Sequence, residues 1–181
     1  TSWVTSGTTA AVTSKGATLY AIFNIGNAES ATYAAGYHEA LTFQNANHGS
    51  QGYNPHFGNG TDPATSFTTA NTTVPPAMAS HLVPCLWYVP DNITIDAVYH
   101  LEGADTATGD TTRLHLMSYT ITSGSTSALT SGTLLAHNSD VTNAGSEQVY
   151  TGSWTVDSAS VAAGKVIVAT FEQDAINSDY S

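Results

Sequence analysis

Charge is what this chain has least of. Only 9% of its 181 residues are Asp, Glu, Lys or Arg, against about 25% in an ordinary soluble domain. Lys and Arg number 3 in all, Lys15, Arg113 and Lys165, against 14 acidic residues, giving a formal charge of −11. A surface of that sign gains nothing from counterion release on phosphates and is repelled by anionic headgroups, which argues against nucleic acid and membrane surfaces as partners. Thr, Ser, Asn and Gly must cover the solvent face instead. Such a surface suits a protein enclosed by neighbours, or one exposed to proteases that find few basic residues to cut at.

Other absences narrow the field further. The only cysteine is Cys85, so no disulfide can form within the chain and the fold must be held by its core or by oligomerisation. Flanked by Pro84 and Leu86 in an apolar run, Cys85 reads as a small buried hydrophobe rather than a nucleophile. No apolar run approaches the roughly 20 residues that cross a bilayer. The chain opens at Thr1 without a Met or a signal-peptide pattern, as a processed or trimmed piece would. Helical periodicity is missing too, as are a G-x-S-x-G elbow, a phosphate loop and a dinucleotide fingerprint. Glu29, Glu39, Glu102, Glu147 and Glu172 are scattered, and an enzyme would need two titratable groups converging in one pocket. No catalytic residue, metal or cofactor is expected.

What is present is β-sheet grammar. Apolar residues make up 41% of the chain, enough for a core, and they recur with period two between clusters of Gly, Asn, Asp and Ser. Leu19 to Ile25 alternates and stops at Gly26-Asn27, and a second strand begins near His38 and carries Leu41 and Phe43. Ile93, Ile95, Ala97, Tyr99 and Leu101 give the cleanest alternation, predicting a core strand. Asp105 to Asp110 reads as its turn and Arg113 to Ile121 as the return strand, so that residues 93 to 121 form a hairpin. Short strands at 133–136, 149–156 and 165–171 follow, with Ala162-Ala163-Gly164 as the last turn. The count, about eight to nine strands at hairpin spacing, predicts an all-β antiparallel sandwich of jelly-roll type. One domain is expected over 17–181, preceded by an N-terminal arm or linker at 1–16. It contains a long aperiodic loop at 45–74, of a length that is usually functional or packed on a partner.

The segment Val83-Pro84-Cys85-Leu86-Trp87-Tyr88-Val89-Pro90-Asp91 leads into Ile93-Thr94-Ile95-Asp96-Ala97-Val98. The Ala-Thr-Gly-Asp turn at 107–110 follows, and then Val161-Ala162-Ala163-Gly164-Lys165-Val166-Ile167-Val168. Over about residues 82 to 172 this order of cues resembles the jelly-roll head, decoration and fibre domains of structural proteins from tailed phages, marine and cyanobacterial ones especially. The resemblance implies a homotrimer on a virion surface or otherwise outside the cell, packed on other virion proteins. Such domains run a further strand after the segment matching Gly164 to Val168, and its lack here would leave a sheet edge open to another chain. A donated-strand extracellular filament is the alternative assembly, in which filament proteins would be the partners. A head that binds a cell-surface glycan is a further reading.

Aromatic and imidazole side chains supply the candidate contacts. Sugar faces pack on aromatic rings that carry polar tips, which selects Tyr37, Tyr53, Phe57, Trp87 and Tyr88 as interface or glycan contacts. Trp154, beside Val156, reads as core first. Of 7 histidines, no pair has the spacing that places two imidazoles on one metal. His48 and His56 share the long loop with Tyr53 and Phe57 and join the candidate set, at a symmetry axis if the chain trimerises.

Overall fold

The computed structural model describes residues 18–24, 35–44, 55–67, 82–105, 109–125 and 128–175. The arm at 1–16, His48, Tyr53 and the flanks of the 45–74 loop lie outside the described residues. The strands in chain order are β1 (Phe23–Asn24), β2 (Glu39–Ala40), β3 (Thr42–Phe43), β4 (Trp87–Tyr88), β5 (Ile93–Thr94), β6 (Tyr99–Ala104) and β7 (Thr111–Ile121). They continue with β8 (Leu129–His137), β9 (Val141–Thr142), β10 (Gln148–Ser153), β11 (Thr155–Val156), β12 (Ser160–Val161) and β13 (Lys165–Gln173). A 3-10 turn covers Val83–Cys85, its proline supplying the fixed φ of a first turn. Among the described residues every strand pairing is antiparallel, and the fold is all-β. Among the described residues no helix is long and apolar enough to cross a membrane.

The largest sheet has 7 strands, in the order β11-β8-β7-β13-β2, with β4 also on β13 and β9 also on β7. Its spine is β7 against β13, nine matched pairs from Thr112 opposite Gln173 to Thr120 opposite Lys165. β13 is buried almost throughout, which a run of Val, Ile, Ala, Thr and Phe allows because both of its faces can be apolar. Gly164, at φ 81°, makes the turn into it and donates its N–H to Val89 O at 2.7 Å. This is the turn that the sequence predicts.

One face of this sheet carries Leu114, Leu116, Ala136, Ile167, Ala169 and Phe171. The pair β6–β10 and the pair β5–β12 close over it, contributing Ala104 and Val161 and the partly buried Ile93, Ile95, Val98, Tyr150 and Trp154. The opposite face carries Met117, Tyr119, Val166 and Val168 and is covered by Phe57, Phe67, Leu82 and Cys85. There the 55–67 segment is bolted down by its backbone: His38 N–H donates to Gly58 O, Ala40 N–H to Pro55 O, and Gly132 N–H to Thr65 O, at 2.9, 2.8 and 2.8 Å. Gly132 is required at the last contact, since a Cβ would sit 2.6 Å from the Tyr119 ring and 2.7 Å from the Thr65 Cα.

Two expectations are corrected. Residues 93 to 121 are not a hairpin, because β6 pairs with β10 in register from Ala104 opposite Gln148 to Tyr99 opposite Ser153, while β7 turns to β13 and β8. The alternation from Ile93 to Leu101 is not a core strand throughout. Ile93 and Ile95 are partly buried, whereas Tyr99 and Leu101 face outward, and the inward side of β6 is His100, Glu102 and Ala104. Period two identifies two faces without saying which is inside.

Candidate functional site

On the face covered by the 55–67 segment, the cross-strand rows change character along the sheet. Tyr119 faces Val166, and Met117 faces Val168 and Leu134. Then the rows turn polar: His115 faces Thr170 and His137, and Arg113 faces Glu172. The apolar half takes the phenyl rings of the covering segment, with Phe57 5.4 Å from Phe67 and 5.2 Å from Tyr119 between ring centroids. Tyr119 donates its hydroxyl proton to Ala64 O at 2.8 Å, and burial pushes the phenol pKa up.

Over the polar half the covering loop leaves an open cleft of about 510 Å³ between residues 59–62 and the ends of β7, β8 and β13. Arg113 spans it, Nε donating to Asp140 Oδ2 at 3.0 Å and Nη1 to both Glu172 oxygens at 3.3 Å. His38, fully buried, donates from Nε2 to Gly60 O at 2.8 Å, which fixes its tautomer. Its ring meets the His115 ring edge-on at 4.9 Å. His115 Nε2 lies 3.6 Å from Asp62 Oδ1, and His137 Nδ1 bonds Asp157 Oδ2 at 2.8 Å.

Burial, first, and then the nearby His38 hold the His115 pKa down at about 4, so that its imidazole is neutral at pH 7. Four polar atoms here have no hydrogen-bond partner although they are buried: Nδ1 of His38, Nδ1 of His115, Nδ2 of Asn138 and Oγ1 of Thr170. An orphaned buried donor or acceptor costs its full desolvation free energy. Among the described residues no group of three or more His, Cys, Asp or Glu is disposed to hold a metal ion. Cys85 lies in the apolar core, where burial pushes its thiol up to about 12, so no thiolate nucleophile is on offer.

The aromatic candidates are not gathered at this cleft. Tyr37 packs edge-on against His56 at 4.8 Å, His56 is buried, with its pKa lowered by desolvation, and Phe57 is wholly inside. Phe57 therefore anchors the loop and presents no ring to solvent. Trp87 stacks on Phe43 at 5.8 Å, and Phe43 meets Phe23 at a tilt at 5.3 Å, in a half-buried row, while Tyr88 is exposed. Arg113, His115, Asn138, Asp140 and Glu172, with Asp62, are the residues the fold does bring together. The signal available in the sequence was Arg113 itself, one of 3 basic residues in a chain that spends charge sparingly.

A second exposed feature lies across the molecule on β6 and β10. Their outward face is Tyr99, Leu101, Gly103, Val149, Thr151 and Ser153, none of them charged, with Tyr99, Leu101 and Val149 exposed to 73, 74 and 73%. Leu19, Tyr20, Ile22 and Tyr88 form further exposed apolar positions. Comparison with protein-family models, with curated proteins and with solved structures finds no match.

Proposed function

We propose that this chain is a structural subunit of a virion surface, a jelly-roll domain that works by packing against copies of itself, as a trimer, rather than by catalysis. The observation that supports this best is the uncharged outer face of β6–β10, where three large apolar side chains stand about three-quarters exposed. Scattered exposed hydrophobes need no explanation, but a contiguous apolar face marks an interaction surface. Covering Tyr99, Leu101 and Val149 contributes about 1.5–3 kcal/mol each, while association costs about 4–15 kcal/mol in lost freedom and ordering. Three side chains alone are therefore marginal, and the positions at Leu19, Tyr20, Ile22 and Tyr88 belong to the same interface. Two different patches meeting head to tail make a heterologous contact, which closes into a ring when the rotation permits.

Against catalysis, Arg113 is tied to Glu172 and Asp140, and His137 to Asp157. The test is native mass spectrometry with light scattering across concentration and salt. Like-charged copies joined by an uncharged face should form trimers that strengthen as salt screens the −11 charge. Combined Tyr99→Ser, Leu101→Ser and Val149→Ser should leave a folded monomer. A parent chain that stays monomeric at high concentration in both low and high salt would sink the reading.

A further inference from the structure

The cleft beside Arg113 lies apart from the β6–β10 face proposed above for packing, and its chemistry is selective. A cation is disfavoured there because the guanidinium already occupies the space between Glu172 and Asp140. An anion is disfavoured because Asp62, Asp140 and Glu172 line the same wall. An apolar ligand would find only Leu134 among the lining side chains. What remains complementary is a neutral molecule rich in groups that both donate and accept.

The wall matches such groups. Asp62 and Asp140, each more than half exposed, are acceptors only, as paired hydroxyls require. His115 and Asn138 are at least nine-tenths buried and back the cleft, while Asn59 and Thr61 are exposed along its rim and both donate and accept. A neutral imidazole and a carboxamide both pair with hydroxyl groups without a charge penalty. The cleft's about 510 Å³ is within the range of small-molecule sites.

We infer that the cleft between residues 59–62 and the β7–β8 ends binds a neutral saccharide, with Asp62 and Asp140 accepting hydroxyl protons and His115 and Asn138 forming its polar wall. The aromatic positions picked out in the sequence take no part. With no Trp, Tyr or Phe among the lining residues, there is no ring for the sugar to stack on, and affinity for a single sugar unit is millimolar.

The experiment is an amide NMR titration of the full chain, in whatever oligomeric state it adopts, with glucose, galactose, mannose and N-acetylglucosamine. N-acetylneuraminic acid, inorganic phosphate, calcium and zinc are run alongside. The expected result is saturable shifts from at least one neutral sugar at residues 59–62, 113–115 and 137–140. Asp62→Ala should weaken this binding about tenfold with an unchanged melting temperature, since Asp62 is on the exposed loop. Three results would each overturn the assignment: no saturable shift from any neutral sugar, saturation only by the acidic sugar, phosphate or a metal, or equal binding by Asp62→Ala.

Discussion

The two faces of the central sheet solve the same burial problem with opposite chemistry. The face under β6–β10 hides an acid: Glu102 accepts from Thr112 Oγ1 at 3.0 and 3.3 Å, and burial raises its pKa to about 7, offset in part by that hydrogen bond. The face under the 55–67 segment hides a base, His115, held down at about 4. In both groups burial disfavours the charged form. The lids differ as well, one being regular paired strands and the other an irregular segment nailed down by Phe57 and Phe67. A chain this short of charge still places ionisable groups under both lids, and the irregular lid leaves a cleft beside its own.

The sharpest way to break this comparison is to remove the nail. Phe57→Ala should cost about 3–5 kcal/mol in chemical denaturation, as much as the about 2–5 kcal/mol of Leu135→Ala from the core on the other face. A cost near zero would mean that the 55–67 segment is not an equal lid.

Titration tests the acid and the base together. His115 binds its proton more readily unfolded, so its penalty is absent above pH 6.5 and grows as pH falls to about 4. Glu102 binds its proton more readily folded, so its penalty is absent below pH 4.5 and grows as pH rises to about 7. Each develops over about two and a half pH units at about 1.4 kcal/mol per unit, roughly 3 kcal/mol in full. Between pH 4.5 and 6.5 the two slopes oppose and nearly cancel. Glu102→Gln should therefore make stability climb with pH in that window, and His115→Asn should make it fall, as urea titrations at stepped pH would show. Variants with the parent's profile would refute both placements.

The smallest effect sharpens the contrast between buried and surface charge. Asp157→Asn removes the partner of a half-exposed His137 and should cost under about 1 kcal/mol, with salt reducing even that.

Much of the sheet was readable in advance. The run 165–171 is a strand filled by β-branched and aromatic residues, 113–121 alternates Leu114 and Leu116 with Arg113 and His115 before ending in Tyr119-Thr120-Ile121, and Gly164 marks a turn that needs positive φ. Partner choice was not readable. β6 finds β10 across three intervening strands, β7 to β9, a long-range choice decided by which faces can be buried and not by the spacing of residues 93 to 121. The cleft was less readable still. Asp62, Arg113, Asn138 and Glu172 come from four separate segments, and only the register of β7 on β13 makes Arg113 and Glu172 neighbours. Phe57 looked like a ligand contact because its loop is polar, and the same polarity conceals that the loop closes a core.

The position of β13 has a consequence for how the molecule is made. It is the last strand of the described chain, yet it sits inside the sheet, touching β7, β4 and β2. On a ribosome releasing the chain from its first residue, β7 has β8 beside it but keeps its other edge unpaired, as does β2, until residues 165–173 emerge. Loop closure over distances such as Ala40 to Thr170 is slow to accomplish, and unpaired strands in the interval invite aggregation. Folding is thus a late, all-at-once event, and a ribosome stalled before Lys165 would hold a nascent chain that cannot form its sheet.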